Sequence, residues 1–484
     1  MRFFQLCFVF FFVFISSHPA QAMMQIPLDF FDAIFIGETI NDRAGYSVAN
    51  AGDVNCDGYD DIITGTPYYN GASTYNGRVY ISFGPNPTTM NLSAADVIID
   101  SSLWMDFSGW SVAGAGDVNG DGCDDFLIGA PYSSDAAYES GTAYLFYGDA
   151  LLASTDVSTA DLKYVGVAAS DYAGYSVAGA GDVNGDGYDD ILIGAPGRTA
   201  WTGAQAGAAY LIYGGASLGG MALSGADVRF HGEAAVDQAG FDVAGGGDFD
   251  GDGYDDIIVS APGEDSAAAG AGATYLIRGQ SAALPRVFFL GGANSKFTGE
   301  KSYDYAGYAI AFIGDMNGNG RDDIMIGAPY NDGATWTESL RGAVYFIDGT
   351  ARALPLVNDL MVAASGQIYG HRGLESLGKS LSGAGDLNGD GYDDVIIGAY
   401  GNSDYAASSG AAYVQYGRRS FPSAMTSDLT DIQYVGGRKY DYAGTSVAGG
   451  GDYNGDGRSD LLITAVGRDD GGSGSGAVYV MYGF

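Results

Sequence analysis

The sequence predicts an all-β fold: a seven-bladed β-propeller of four-stranded antiparallel blades, closed by the N-terminal strand. Three observations lead to this prediction. An acidic motif recurs seven times at intervals of 64 to 71 residues, its neighbourhood is rich in β-branched and aromatic residues, and glycine makes up 79 of the 484 residues. Regular internal repetition is typical of repeat architectures, and this composition favours short strands joined by tight turns over helices.

Each repeat contains the same parts in the same order. In the third repeat, the segment AGYSVA (173–178) precedes the acidic loop, and ILIGAP (191–196) follows it. A variable polar loop then leads into GAAYLIYG (207–214), and a further extended segment such as DVIID (96–100) separates the units. These parts predict four short strands per unit, arranged as a small antiparallel sheet.

The ends of the chain favour a closed ring. One sheet of this size cannot bury both of its faces, whereas seven packed radially can. A linear solenoid would require atypical polar end repeats, but the first and last units resemble the others. The segment AIFIG (33–37) precedes the first unit, and the last unit lacks its fourth segment after Tyr482. We therefore expect the N-terminal strand to complete the final blade, which removes two open sheet edges.

The first 22 residues have the pattern of a secretory signal peptide. Arg2 is followed by an apolar run over 3–15 and by Ala20-Gln21-Ala22, a small-residue cleavage site. A membrane anchor is the alternative, but the run is short for crossing a bilayer. We expect cleavage after Ala22, a propeller over 23–484, no membrane span, and a secreted, periplasmic or cell-surface location.

Cysteine usage predicts no disulfide framework. Cleavage would remove Cys7 and leave Cys56 and Cys123, which occupy unlike positions in different repeats. We expect both to be free thiols.

The charge balance excludes several classes of partner. The chain has 59 acidic and 21 basic residues, a formal net charge of −38. Nucleic acid is excluded as a partner because nothing resembles a basic groove able to displace counterions, and an anionic membrane surface is disfavoured for the same reason. Such a charge also requires cations nearby, because the folded state otherwise repels itself.

The acidic loop has the chemistry of a calcium site. Oxygen-bearing side chains fall at positions 1, 3, 5 and 9, and position 6 is glycine in all seven copies. With the backbone carbonyl of position 7, this supplies six or seven oxygen ligands, the shell that Ca²⁺ prefers. Magnesium is disfavoured because it requires octahedral geometry, and zinc because the loop lacks the usual Cys and His ligands.

We therefore predict up to seven calcium ions, each held by one loop. The fourth loop has four ligand carboxylates and the fifth only two, so we expect the fourth site to bind Ca²⁺ most tightly and the fifth most weakly. The predicted ligands, at positions 1, 3, 5, 7 and 9 of each loop, are Asp53, Asn55, Asp57, Tyr59 and Asp61; Asp117, Asn119, Asp121, Cys123 and Asp125; Asp182, Asn184, Asp186, Tyr188 and Asp190; Asp248, Asp250, Asp252, Tyr254 and Asp256; Asp315, Asn317, Asn319, Arg321 and Asp323; Asp386, Asn388, Asp390, Tyr392 and Asp394; and Asp452, Asn454, Asp456, Arg458 and Asp460.

The stretch AGYSVAGAGDVNGDGYDDILIGAP (173–196) resembles the FG-GAP repeat of integrin alpha-chain β-propellers, and the resemblance recurs over nearly all of the mature chain. It implies a seven-bladed propeller with calcium loops on one rim and ligand recognition by loops on the opposite face. Related propellers occur in a phospholipase D specific for glycosylphosphatidylinositol anchors and in exported bacterial proteins. Integrin alpha chains carry such loops in only some blades and have leg domains that are not seen here, so a beta-subunit partner is not implied.

These observations predict a secreted calcium-binding module for cell adhesion or ligand binding, with an extracellular protein or carbohydrate as its ligand. Candidate binding loops follow the Gly-Ala-Pro motif at 68–76, 197–206 and 330–341, where Tyr68, Tyr69, Trp201 and Trp336 suit such surfaces. The alternative is an extracellular hydrolase or lyase acting on polysaccharide or phosphodiester. His231 and His371 stand in non-equivalent places without a nucleophile motif, so we predict no catalytic residues.

Overall fold

The computed structural model describes residues 23–71, 74–85, 87–200, 202–333 and 339–483. The predicted signal peptide, Cys7, Trp201, Trp336 and Phe484 lie outside the described residues.

Short β-strands make up nearly all of the regular structure. In chain order, they are β1 (Met24–Pro27), β2 (Ala33–Ile36), β3 (Ser47–Gly52), β4 (Asp61–Thr66), β5 (Arg78–Ser82), β6 (Met90–Asn91), β7 (Val97–Asp100), β8 (Ser111–Gly116), β9 (Asp125–Ala130), β10 (Thr142–Phe146), β11 (Thr155–Asp156), β12 (Leu162–Val165), β13 (Val177–Gly181), β14 (Asp190–Ala195), β15 (Ala208–Ile212), β16 (Met221–Ala222), β17 (Val228–His231), β18 (Val243–Gly247), β19 (Asp256–Ala261), β20 (Ala273–Ile277), β21 (Val287–Phe289), β22 (Ser295–Thr298), β23 (Ala309–Phe312), β24 (Ile324–Ala328), β25 (Ala343–Ile347), β26 (Val357–Asp359), β27 (Gly366–Tyr369), β28 (Ser380–Gly385), β29 (Asp394–Ala399), β30 (Ala411–Gln415), β31 (Met425–Thr426), β32 (Ile432–Val435), β33 (Ala443–Gly451), β34 (Asp460–Ala465) and β35 (Ala477–Met481). One-turn helices precede six of the outer strands, at Leu92–Ala94, Val157–Thr159, Leu223–Gly225, Leu290–Gly292, α1 (Leu360–Ala363) and Ser427–Leu429.

Within the described residues the strands form seven sheets. From the inside outward, they are β3-β4-β5-β7-β11, β8-β9-β10-β12-β16, β13-β14-β15-β17-β21, β18-β19-β20-β22-β26, β23-β24-β25-β27-β31, β28-β29-β30-β32-β1 and β33-β34-β35-β2-β6, which we call blades 1 to 7. The innermost strand of each blade contacts that of the next, and β33 contacts β3. The prediction of an all-β, seven-bladed propeller is confirmed.

The first four strands of each blade are antiparallel, as the repeat pattern predicts. The prediction of four strands per blade misses a fifth, which pairs in parallel with the outer strand and comes from the next blade, just before that blade's own outer strand; β11, which precedes β12, pairs with β7. In the seventh blade the outer strand is β2, which pairs antiparallel with β35 so that Phe35 faces Val478. The strand before it, β1, pairs with β32 of blade 6. The N-terminal segment therefore contributes to two blades.

The hydrophobic core lies between blades. Each of its seven clusters combines side chains from two neighbouring sheets; Leu127 and Leu145 of blade 2, for instance, pack with Ile193 and Tyr210 of blade 3. The cluster between blades 7 and 1 contains Phe35, so the N-terminal strand also supplies core. Because no blade has a core of its own, each depends on its neighbours for stability.

Candidate cation sites and the opposite face

The seven acidic loops lie on one face of the disc. Each loop connects the innermost strand of a blade to the second strand; loop 1 joins β3 to β4, and loop 3 joins β13 to β14. The Gly-Ala-Pro loops connect the second strand to the third, so they lie at the other end of the blade. We call these two surfaces the acidic-loop face and the opposite face.

The position 1 carboxylate organises its loop through backbone hydrogen bonds. In loop 3, Oδ1 of Asp182 accepts from the N–H groups of Gly185 (2.7 Å) and Asp186 (3.0 Å), and Oδ2 accepts from Gly187 (2.8 Å). Gly187, at position 6, has a φ of +90°, which a residue with a Cβ rarely adopts. The loop therefore folds around its first aspartate, and the position 6 glycine permits the turn.

The position 9 carboxylate is buried beneath the loop. Asp190 is fully buried, and its two oxygens accept hydrogen bonds from the N–H groups of Val183 (3.1 Å) and Gly214 (2.8 Å). Burial, opposed by these hydrogen bonds and reinforced by Asp186 and Asp182, raises its pKa to about 8. Within the described residues, none of the seven position 9 carboxylates forms an ion pair with a basic side chain.

All seven position 9 carboxylates have raised pKa values, chiefly because of burial. The pKa is about 7 for Asp61, Asp125, Asp394 and Asp460, and about 8 for Asp190, Asp256 and Asp323. Charged oxygens buried without a counter-charge are costly, and a bound cation removes that cost. The residues present therefore fit a hard divalent cation in each loop.

Positions 5 and 7 lie nearer the surface than position 9. In loop 3, the exposed Asp186 accepts a hydrogen bond from the N–H of Tyr188 at 3.1 Å, and the same bond occurs in every loop except loop 5 among the described residues. This bond shapes the turn that presents the position 7 carbonyl.

Loops 4 and 5 differ in the side chains that surround their position 9 carboxylates. Carboxylate oxygens of Asp248, Asp250 and Asp256 all lie within 4.8 Å of one another in loop 4. Arg278 also pairs with Asp250, at 2.8 Å. In loop 5, the amide nitrogen of Asn317 donates to both oxygens of Asp323, at 3.0 and 2.9 Å. Position 3 is thus a carboxylate in loop 4 and an amide in loop 5, as it is in the other five loops.

Position 8 has a role that the loop pattern does not reveal. Oδ2 of Asp189 accepts a hydrogen bond from the N–H of Asp117 in the preceding blade (2.8 Å), and the N–H of Asp189 donates to the Asp117 carbonyl (3.3 Å). The carboxylates that bond in this way to position 1 of the preceding loop are those of Asp60, Asp124, Asp189, Asp255, Asp322 and Asp393. Position 8 of loop 7 is Ser459 instead. Within the described residues, position 8 carboxylates therefore link neighbouring loops at six of the seven blade junctions.

Replacing a position 8 carboxylate should weaken one blade junction. We expect Asp189→Ala to lower the free energy of unfolding by about 1–2 kcal/mol, because it leaves the N–H of Asp117 unpaired. Ser459→Ala, at the junction without a carboxylate, is the matched control and should cost less than about 0.5 kcal/mol. Urea denaturation measures both values, and equal losses would contradict the proposed link.

The two cysteines form a disulfide between neighbouring loops, so the prediction of free thiols is wrong. Cys56 and Cys123 are bonded, with Cα atoms 5.3 Å apart. Cys56 is at position 4 of loop 1 and Cys123 at position 7 of loop 2. At the next junction these positions are Gly120 and Tyr188, and a Cβ on Gly120 would lie 2.4 Å from the tyrosine ring. The ring geometry thus brings position 4 of one loop against position 7 of the next.

The disulfide should stabilise this junction beyond what the usual pair provides. We expect Cys56→Ala/Cys123→Ala to lower the free energy of unfolding by about 2–4 kcal/mol, since the bond closes a long loop in the unfolded chain. Cys56→Gly/Cys123→Tyr installs the Gly/Tyr pair found at four of the other six junctions and should recover part of the loss. Chemical denaturation without reductant measures both; a parent protein unaffected by reductant would contradict this role.

Comparison with known proteins gives the family. The FG-GAP repeat model matches residues 44–82, 108–146, 173–212, 239–277, 306–347, 378–414 and 443–481, which together make up more than half of the chain. The chain belongs to the FG-GAP repeat family. Each matched segment covers the first three strands of one blade and its acidic loop.

Curated relatives include integrin alpha chains. This FG-GAP protein is 32% identical to integrin alpha-V of Gallus gallus over 239 residues, 48% of this chain and 20% of the relative. It is 35% identical to integrin alpha-5 of Xenopus laevis over 46% of this chain and 20% of the relative. It is also 26% identical to phosphatidylinositol-glycan-specific phospholipase D of Homo sapiens, over 74% of this chain and 43% of the relative. The chain thus spans about a fifth of the integrins and less than half of the phospholipase.

The opposite face of the FG-GAP propeller carries a second set of buried acids. There is one per blade: Asp42, Asp106, Asp171, Asp237, Asp304, Glu375 and Asp441. The residues on both sides of each acid have left-handed backbones, as at Ser170 (φ 59°) and Tyr172 (φ 56°). Such strained residues persist where the surrounding structure holds them. Several of these acids pair with a basic side chain; Nη1 of Arg198, for example, lies 3.2 Å from Oδ2 of Asp171.

The structure describes the surroundings of both His231 and His371. Both ring nitrogens of His371 are engaged, with Ser427 Oγ at 2.8 Å and Asp404 Oδ1 at 3.1 Å, and Glu375 lies at 3.2 Å from Nδ1. Hydrogen bonds to these acids raise the pKa of His371 to about 10, although burial opposes this. His371 thus lies within a buried, hydrogen-bonded cluster of side chains. Burial lowers the pKa of His231.

An aromatic collar surrounds the central channel at the opposite face. The equivalent residue at the start of the innermost strand region is aromatic in five of seven blades, and the centroids of successive rings lie 4.8 to 5.6 Å apart. The seven positions are Tyr46, Trp110, Tyr175, Phe241, Tyr308, Lys379 and Thr445. The ammonium of Lys379 lies 3.8 Å from the centroid of the Tyr308 ring, and burial lowers its pKa to about 8. The collar encloses a cavity of about 360 Å³.

Of the candidate aromatic ligand contacts, Tyr68 and Tyr69 lie within the described residues, and both are half-buried. Tyr68 packs against Tyr46 and Phe107 at 5.6 Å, and the Arg78 guanidinium lies 3.9 Å from the Tyr69 ring. Both rings therefore pack against neighbouring side chains of the propeller. No helix within the described residues has the length and apolar character needed to cross a membrane.

Proposed function

We propose that this protein is an extracellular binding or adhesion module whose propeller is stabilised by calcium in up to seven loops. The observation that carries the proposal is the set of seven buried position 9 carboxylates, each beneath a loop of oxygen donors and none paired with a basic side chain among the described residues. The integrin relatives and the family's repeat support a ligand-binding role for the propeller.

The position 9 carboxylates make the cation a requirement for stability. A carboxyl group whose pKa rises from 3.8 to about 7 costs on the order of 4 kcal/mol when it ionises in the folded state. Ca²⁺ would be held by the side chains at positions 1, 3, 5 and 9 and by the carbonyl at position 7 of each loop. The bound ion would supply the missing positive charge.

The loops should differ in affinity for Ca²⁺. We expect Asp256→Ala, in loop 4, to remove the tightest site, and Asp323→Ala, in loop 5, to remove the weakest. Isothermal titration of calcium into each variant and the parent identifies the lost site by its dissociation constant. The reverse order would contradict the ranking by ligand charge.

The opposite face is the proposed ligand-binding surface, because loops there are variable while the acidic-loop face serves the cations. The mature chain would work outside the cytoplasm, where calcium is abundant enough for sites with dissociation constants of about 0.1–1 mM. Binding of the labelled protein to glycan and surface-protein arrays, with and without EGTA, tests this role. Calcium-dependent binding without turnover supports the module. Absence of any ligand, or hydrolysis of a bound substrate, would overturn it.

A further inference from the structure

A cavity on the opposite face lies where blades 2, 3 and 4 meet. Its volume is about 230 Å³, and it is lined by the rings of Tyr132, Tyr172, Tyr175 and Phe241 and by the side chains of Gln205 and Gln238. The set of lining side chains contains no charged group. The backbone of Gly197 completes the wall; a Cβ there would lie 2.0 Å from the Ser170 carbonyl oxygen and 2.5 Å from the Tyr172 ring, so the close approach requires glycine.

The two glutamines belong to a position pair that recurs at every blade junction. The N–H of Gln238 donates to the carbonyl of Gln205 (3.2 Å), and both residues have left-handed backbones, with φ of 59° and 51°. This backbone geometry fixes the positions of the Cα and Cβ atoms of both glutamines. The equivalent pairs at the other junctions are Tyr75 and Phe107, Glu139 and Tyr172, Gly270 and Tyr305, Leu340 and Ser376, Ser408 and Tyr442, and Gly474 and Arg43.

Only one of these seven pairs consists of two amides. At two other junctions the paired side chains interact with each other: Tyr75 stacks on Phe107 at 5.5 Å, and the Tyr172 hydroxyl donates to Glu139 at 3.1 Å. The side-chain amides of Gln205 and Gln238, by contrast, make no hydrogen bond within the described parts of the chain. Gln205 is exposed and Gln238 half-buried. This junction therefore offers unused donors and acceptors at the mouth of an aromatic cavity.

We propose that this cavity binds one ring of a neutral saccharide, with the two amides hydrogen-bonding its hydroxyl groups and the aromatic rings packing on its apolar face. Each amide provides a carbonyl acceptor and two N–H donors, which match hydroxyl groups in either direction. Aromatic walls with a few placed polar groups are typical of small-ligand sites. The chain's net charge of −38 and the uncharged lining disfavour anionic sugars. The inference rests on the proposed function and specifies its ligand.

The test is calorimetric titration of the mature protein, in calcium, with neutral hexasaccharides of glucose, mannose, galactose and xylose, and with an acidic hexasaccharide of galacturonic acid. We expect at least one neutral sugar to bind and the acidic one not to bind. Gln205→Ala/Gln238→Ala should raise the dissociation constant about tenfold, because two hydrogen bonds are lost. Ser408→Ala/Tyr442→Ala changes the same positions at the junction of blades 6 and 7 and should leave it within about twofold.

An unchanged melting temperature for the glutamine variant excludes misfolding. The proposal is overturned if no neutral hexasaccharide binds, or if the glutamine variant binds as the parent does. Either result would leave calcium binding and recognition of another ligand on this face untouched, so failure here is distinct from failure of the proposed function.

Discussion

Deleting residues 23–37 is expected to lower the free energy of unfolding by on the order of 10 kcal/mol. The deletion removes β1 and β2, and with them the buried side chains of Leu28, Ile34 and Phe35. Losing one large buried apolar side chain costs about 2–5 kcal/mol. The outer edge of β35 would also become unpaired, which favours association with other chains. Thermal unfolding and size-exclusion chromatography measure the two effects.

A circular permutant provides the matched control. Moving residues 23–37 to follow residue 484 places β1 and β2 directly after β35. That is the order in which the other blades connect the third strand to the outer strand, as in β5, β6 and β7. The permutant should recover most of the lost stability. If the deletion variant instead melts within about 3 °C of the parent, the N-terminal strands do not close the ring.

The second large effect is a pH dependence that calcium should abolish. In the unfolded chain the position 9 carboxyl groups lose their protons near pH 3.8, whereas in the cation-free folded chain they keep them until about pH 7 to 8. Between these values the folded state binds more protons, so the free energy of unfolding falls as the pH rises. In EGTA, we expect the melting temperature to fall by more than about 10 °C from pH 5 to pH 8.5.

In saturating Ca²⁺ the same rise in pH should not lower the melting temperature, because the ion binds the deprotonated carboxylates. Asp190→Asn removes one of the seven titrating groups and should flatten the pH profile measured in EGTA. Asp265→Asn, at an exposed acid, should leave that profile unchanged. A cation-free protein that is equally stable at both pH values would contradict the assignment of the buried carboxylates.

Much of the fold follows from local signals that repeat. The glycine at position 6, the oxygens at positions 1, 3, 5 and 9, and the β-branched segment after them are each read within a single unit, and seven copies reinforce one another. The number of blades and the face that carries the acidic loops follow from this repetition. The N-terminal segment AIFIG was also identifiable, because the last unit lacks its counterpart.

What the sequence does not reveal are contacts between unlike positions of adjacent units. Cys56 and Cys123 occupy different positions when the repeats are aligned, yet the ring places position 4 of one loop against position 7 of the next. Two further contacts also join different parts of adjacent repeats, so an alignment of the repeats does not reveal them. They are the hydrogen bond from Asp189 to the preceding blade and the pairing of the fifth strand in each sheet. A signal existed for the disulfide: loop 1 alone lacks glycine at position 4, and loop 2 alone has cysteine at position 7.

The central claim is that a divalent cation compensates the buried carboxylate in each acidic loop. The most direct measurement is the number of calcium ions bound per mature chain at pH 7.5, by equilibrium dialysis with elemental analysis, together with the melting temperature before and after EGTA. We predict up to seven ions, with several bound at millimolar free Ca²⁺, and a melting temperature that falls by about 10 °C when they are removed. A chain that binds no calcium, or that melts at the same temperature in EGTA, would contradict the claim.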